Sequence, residues 1–387
     1  MNHVSDELIY LDHAAATPMD DRVLAAMQPY FSDHFYNPSS PYAPAIAVRR
    51  EYEEAKHTIA TIIGAKPDEL VMTAGATESI NLAFGAVTGH AVVIATEHHA
   101  VLAASRRQDH TIVPVDEHGL VSLGVIEEAI RPDTQIVSIA LANNELGTVQ
   151  PLRDIAAVIQ CEREKRLVTG SDTPIYFHSD ASQGAGQVDV TVARLGVDML
   201  TLNAGKMYGP KQVGLLWAAS HVRLTPSIVG GGQERGLRSG TENVAGVIGF
   251  AKAFALVDRH RKTEVERLRN LRDTLQKRLT ERFSDAVVSG YQKKRLAGHL
   301  HISFPAIDAE RLVFGLESRG VMVATGSACA ANKGTRSHVL TAIGLDPSVA
   351  DGSLRLTFGH LSTEENTKRA GDILIDVIGK EYERIAS

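Results

Sequence analysis

Four polar residues fall just past two strand-like runs in the stretch 175–210, IYFHSDASQGAGQVDVTVARLGVDMLTLNAGKMYGP. Ile175–His178 leads into Asp180 and Gln183, and Asp198–Leu202 leads into Asn203 and Lys206, with a helical crossover expected between them. In an open parallel sheet, the carboxyl ends of neighbouring strands are where ligands bind. A lysine that can form a Schiff base and an acid that can face a pyridine nitrogen are what pyridoxal phosphate requires of a protein. Either residue alone reads equally well as a loop lysine or a turn former. Their joint placement points to the cofactor, and the rest of the chain has to supply a phosphate site.

Such a site is offered by LVMTAGATESINLAFGAV, residues 70–87, where a strand runs into a glycine turn and a helix begins near Thr77. Backbone N–H groups and the positive end of a helix dipole meet there, a pairing that binds phosphate. The strand Ala91–Thr96 ends at Glu97, His98 and His99. Adjacent histidines point in different directions, which argues against a two-histidine metal site and leaves one imidazole for ring stacking or proton transfer. Cys329 lies in VATGSACAANKGTRSHVL, a small, polar setting that suits an accessible thiol, with Lys333 and Arg336 close in sequence to favour a thiolate. Arg355 in SLRLTF is a strand arginine of the kind that clamps a carboxylate, or forms one half of an ion pair. Cys161, inside the amphipathic helix expected over Pro151–Arg166, reads as a packing residue.

These residues need a scaffold, and the chain supplies one. At 387 residues it exceeds the size of a single growing core, so two domains are expected, and an apolar fraction of 44% is ample to fill them. Strands and helices alternate from about 70 to 220, which implies a largely parallel sheet covered by helices. A long charged helix is expected over Lys252–Phe283, followed by a smaller α+β unit with runs at His299–Phe304, near Val321 and at Leu354–Phe358. The net charge of −6 argues against direct nucleic-acid binding. The glycines of Gly230–Thr241 have the wrong spacing for a dinucleotide fingerprint, and Gly205-Lys206 is followed by Met207, not the Ser/Thr of a P-loop. The start lacks the basic and apolar regions of a signal peptide, and the apolar run Val244–Val257 is too short for a membrane span. A cytoplasmic protein with no membrane partner is the expectation. Two cysteines far apart, Cys161 and Cys329, give no disulfide and no metal-ligand spacing.

Taken in order, YLDHAAATP, FYNPSS, TAGATES, TEHHAV, ANNELGTVQP, HSDASQ, KMYGPKQVG, GGGQERGLRSGTEN, GSAC and LRLTFG resemble the blocks of the cysteine desulfurase family, in its NifS/IscS-like branch. The resemblance covers nearly the whole chain. It implies a class V aminotransferase (fold-type I pyridoxal 5'-phosphate) architecture, with a mainly parallel seven-stranded sheet. Residues 15–255 would form the large domain, and 1–14 with 256–387 a small α+β domain carrying the Cys329 loop. By resemblance, Lys206 would bind the cofactor aldehyde and shuttle protons, Asp180 would pair with the pyridinium nitrogen, and His98 would stack on the ring. Gln183 and Asn144 would hydrogen-bond the ring oxygen, and Ala76, Thr77, Asn203 and Gly205 would face the phosphate. Thr241 would reach the phosphate of a neighbouring subunit, so a homodimer is implied. Arg355, with Asn144 and Asn37, would hold the carboxylate of L-cysteine. Cys329 would take the sulfur as a persulfide, leaving L-alanine, and pass it to an acceptor for Fe–S cluster assembly or tRNA thiolation. The alternatives are a selenocysteine lyase or another enzyme of the same fold group.

The pattern is broken in places. NAGK at 203–206 stands where the family usually has SxHK, so a serine and a histidine that touch the phosphate are replaced by Asn203 and Gly205. Asn203 can still donate, whereas Gly205 offers only its backbone N–H. A hydrogen bond to a charged group is worth about 1.5–3 kcal/mol, so the cofactor should bind less tightly unless another donor compensates. Gln233 also replaces a usual histidine, and PYAPA replaces a segment with HxxG.

Overall fold

The computed structural model describes residues 8–326 and 336–387. Its seven-stranded sheet has the spatial order Leu70–Thr73, Gly214–Ala218, Met199–Asn203, Tyr176–Asp180, Thr134–Ser138, His90–Ile94, His110–Val113. All neighbours run parallel except Gly214–Ala218, which is antiparallel to both strands beside it. His90–Ile94 is buried along its whole length, as expected of a strand covered by helices on both faces.

The expected crossover between the two site-bearing strands is mostly loop. Its helix is the single turn Val192–Leu195, because Gly196 adopts a left-handed φ of 75° and ends it at once. The helix Ala43–Ile63 is closed by Gly64 in the same way. The long charged helix starts eight residues earlier than its charge pattern suggests and runs Val244–Arg282, 39 residues. Its first part is apolar on several sides, and the Asn243 side chain caps it by accepting from the Gly246 N–H.

A four-stranded antiparallel sheet, in the order Ala324–Thr325, Ser353–Thr357, His299–Ser303, Val287–Ser289, forms the second layer of strands. Ile9–Tyr10 pairs in parallel with Val321–Met322, so the described start of the chain is stitched to this second unit. Two large apolar clusters result. One packs around Val92, Val137, Phe177, Leu200 and Leu215 of the large sheet, the other around Leu300, Ile302, Leu354 and Leu356 of the small one. The long helix supplies Phe250 and Phe254 to the first, and Leu271 and Leu275 to the second. No helix among the described residues is long and apolar enough to cross a membrane.

Candidate active site

The strand Tyr176–Asp180 ends on Asp180, whose Oδ1 accepts from the Ser182 N–H at 2.9 Å and so faces the end of the sheet. Next to it, Met199–Asn203 passes into a single 3-10 turn, Ala204–Lys206, capped by Asn203 Oδ1 accepting from the Gly205 N–H at 3.0 Å. Lys206 leaves this turn and donates from Nζ to the carbonyls of Ala14 (2.8 Å) and Ala15 (2.7 Å). The small-residue segment after Asp12 is thus the floor beneath the lysine. Gln183 Nε2 donates to the same Ala14 carbonyl at 3.0 Å, and Thr17 ties the floor to the turn through its hydroxyl, 3.1 Å from the Gly205 carbonyl.

Over this floor opens a cavity of about 330 Å³ lined by Ala76, Thr77, His98, Asn144, Asp180, Gln183, Asn203, Lys206 and Arg355. Residues separated by up to 341 positions in sequence, from 14 to 355, meet around one space. A second cavity, about 580 Å³, adjoins it at the start of the helix Ala76–Phe84 and shares Ala76, Thr77, Asn203 and Lys206 with it. That helix has no side-chain cap, because Gly75 precedes it with φ 135°, a conformation open to glycine. Its first N–H groups are left for a ligand. Gly214 on the adjacent strand comes so close that a Cβ there would lie 2.7 Å from the Gly75 backbone, which fixes the turn against the sheet.

The electrostatics are arranged by burial. His98 caps the helix His99–Ser105 through Nδ1, which accepts from the Ala100 N–H at 3.1 Å. A ring nitrogen that accepts from a backbone N–H carries no proton, so the neutral ring keeps its proton on Nε2. Burial lowers the His98 pKa, with Asp180 opposing and His99 and Lys206 reinforcing the shift. Below it, Glu97 is fully buried. One oxygen accepts from the Ala140 N–H at 2.8 Å and the other has no partner among the described residues, and burial pushes its pKa up to about 8. Glu145 lines the cavity, accepts from the Ser337 hydroxyl at 2.6 Å, and is raised by burial to about 7. Arg355 is only 3% exposed; Nη2 pairs with Asp12 Oδ1 at 2.7 Å, Nη1 reaches the Asn144 carbonyl at 3.4 Å, and Nε has no partner among the described residues.

Among the described residues, the nominated Asn37 and Thr241 line neither cavity, and Gly205 lines only the adjoining one. Asn37 is exposed, with its Oδ1 accepting from Ser39 N–H, and Thr241 is exposed at the end of the Gly230–Thr241 loop. Cys329 lies outside the described residues. Gly205 lines the adjoining cavity, and its backbone N–H donates to the Asn203 side chain that caps the turn. Cys161 is exposed rather than packed, since the buried face of its helix is carried by Ile155, Ile159 and Arg166. Gln233, at a usual histidine position, accepts from the Gly240 N–H at 2.9 Å and so closes its own glycine-rich loop. Sequence reasoning missed Asp12, the Ala14–Thr17 floor, and His338, which lines the cavity and donates from Nε2 to the Glu97 carbonyl at 2.9 Å. The block YLDHAAATP was the available signal: an acid followed by residues too small to do anything but let something approach.

The donor set fits pyridoxal phosphate. An amine, a carboxylate and a neutral imidazole converge on one cavity, and an uncapped helix start opens the adjoining one. The aminotransferase class-V family model matches residues 9–369. The chain is 39% identical over 381 residues to cysteine desulfurase IscS 1 of Archaeoglobus fulgidus, covering 95% of this chain and 96% of that protein. Among solved structures it is similar to a NifS-like protein, with TM-score 0.87, 31% identity, and coverage of 96% of this chain and 100% of that one. It is also similar to SspA in complex with cysteine, with TM-score 0.77, 33% identity, and coverage of 90% and 98%.

Proposed function

From a chain that belongs to the class-V aminotransferase family, in its NifS/IscS-like cysteine desulfurase branch, we propose a pyridoxal-phosphate enzyme that moves sulfur from L-cysteine to Cys329 and releases L-alanine. The observation that carries this reading is the convergence of Lys206, Asp180, His98 and Arg355 on one cavity. When bound, the cofactor supplies an electron sink for the substrate Cα and Cβ. Asp180 holds negative charge for the ring nitrogen, and His98 presents a neutral ring face. Arg355, paired with Asp12, has an Nε with no partner among the described residues to offer the substrate carboxylate. Lys206 moves the proton at the substrate Cα, with the Ala14 and Ala15 carbonyls fixing its amine in the meantime. The Cys329 thiolate forms an S–S bond to the substrate sulfur while the C–S bond breaks; protonation of the carbon gives alanine.

The wider reading follows from the same residues. Residues 15–255 form the large domain, and 1–14 with 256–387 the small one, which is supported by the separate apolar clusters. The enzyme works as a homodimer in the cytoplasm. Phe31, Phe35 and Val229 are strongly exposed, at 66%, 66% and 78%. Asn37 and Thr241 are exposed and line neither cavity, as residues lent to a partner's site would be. An Fe–S scaffold protein or a tRNA-thiolation enzyme takes the sulfur. Incubation with labelled L-cysteine followed by mass analysis should find extra sulfur on the peptide containing Cys329, and Cys329→Ser should abolish it. Alanine formed at an undiminished rate by Cys329→Ser would defeat the proposal.

A further inference from the structure

The phosphate-side cavity is lined by Thr77, Glu78, Asn203, Gly205, Lys206 and Lys211 among its residues. Its one lining carboxylate, Glu78, is already engaged: Oε2 accepts from the Ala74 N–H at 2.7 Å and Oε1 pairs with Arg238 Nε at 3.0 Å. The Ala204–Lys206 turn gives the cavity little. The Gly205 N–H is spent on Asn203 Oδ1, so the turn retains the Asn203 amide NH₂ as its donor. Lys206 is committed to the reacting end of the cofactor. Beyond the helix start, the lining then offers a doubly charged phosphate the neutral side chains of Thr77, Asn81, Asn203 and Gln212, and one cation other than Lys206.

We propose that Lys211 is that cation, a phosphate-binding residue standing in for the side chain that position 205 lacks. A Cβ built on Gly205 would lie 3.5 Å from Lys211 Cγ and 3.6 Å from its Cα, so the lysine stem runs along the flank from which a residue-205 side chain would emerge. Its ammonium has three N–H donors. One goes to the Thr17 carbonyl at 2.9 Å, and the ammonium carries two more. The carbonyl that holds it belongs to the same unit as the turn: Thr17 Oγ1 accepts from the Tyr208 N–H at 2.9 Å and donates to the Gly205 carbonyl. The lysine is thus held at the cavity by the floor segment.

This inference rests on the cofactor reading above, and its test separates the two. Apoprotein is titrated with pyridoxal 5'-phosphate and, separately, with pyridoxal, which has no phosphate, and Kd is read from absorbance and fluorescence. Lys211→Met should raise the Kd for pyridoxal phosphate roughly tenfold to a hundredfold, the span expected for one charged hydrogen bond, and leave pyridoxal unchanged. Lys211→Arg should stay near the wild type. Gly205→His added to Lys211→Met should recover affinity, since a Cβ at 205 meets only ordinary contacts. A wild-type Kd for pyridoxal phosphate in Lys211→Met, or equal weakening of both ligands, would overturn the proposal. Wild-type protein that bound neither ligand would instead defeat the cofactor reading, and this inference with it.

Discussion

In the seven-stranded sheet the polar side chains that reach the cavity sit where strands stop, at Asp180, Asn203 and Lys206. In the four-stranded sheet Arg355 projects from the middle of the buried strand Ser353–Thr357, flanked by Leu354 and Leu356 and paired with His301 and Ala324 on the neighbouring strands. A strand end costs little to make polar, because loop carbonyls and N–H groups lie within reach. A charge in mid-strand has to bring its own counter-charge, and Asp12 comes 343 residues along the chain to provide it. The two sheets therefore separate chemistry from structure differently. At the strand ends a residue can be changed with the fold intact, whereas at Arg355 function and stability are one property.

The sharpest way to break that contrast is Lys206→Ala. Turnover should fall by about 10²–10⁴-fold, the usual loss for a positioned acid–base group, while urea unfolding shifts only by about 1 kcal/mol for its lost hydrogen bonds. An unfolding change as large as that of a core mutant would erase the distinction. Arg355→Ala should do both kinds of damage: about 3–5 kcal/mol of stability, because Asp12 is left as an unpaired charge, and a raised KM for cysteine. Replacing Asp12 and Arg355 together by Leu and Met should return much of the stability and none of the activity, as measured by unfolding and alanine release.

Glu97 sharpens the comparison from the other side, being a carboxyl past a strand end that is nevertheless sealed in. Its folded pKa of about 8 lies above the ordinary 4.5, so between those values the folded state holds a proton that the unfolded state has lost. Stability is then fully present at low pH and falls as pH rises, by about 1.4 kcal/mol per unit for one proton. Glu145, raised to about 7, acts in the same sense up to that pH. Below 6.5 the buried neutral His178, lowered by burial to about 4, works in the opposite direction, so the range from 6.5 to 8 isolates the carboxyls. Glu97→Gln should flatten the fall of unfolding free energy over that range. The smallest effect belongs to Cys161→Ser, an exposed change expected to stay within about 0.5 kcal/mol in stability and to leave sulfur transfer intact.

The same contrast explains what could be read in advance. Asp180, Gln183, Asn203 and Lys206 were legible because polar residues interrupt apolar runs at strand ends, and the alternation of elements gave the sheet. The order of its strands and the antiparallel Gly214–Ala218 were not written in any local pattern. Arg355 could be singled out, but whether it met a ligand or an ion pair depended on Asp12, whose type and place say nothing until the chain folds. The Gly205 N–H looked available because sequence does not show that the neighbouring asparagine bends back to take it. Cys161 misled for a simpler reason: a helix with few buried positions leaves most of its residues outside.

The helix Val244–Arg282, roughly 58 Å long at 1.5 Å per residue, lends its first turns to one apolar cluster and its later turns to the other. Neither cluster can melt without stripping partners from a rod that the other still grips. Heat is thereby met by a common spine, and the carboxylate clamp and the lysine keep their relative bearing for as long as that spine stays wound.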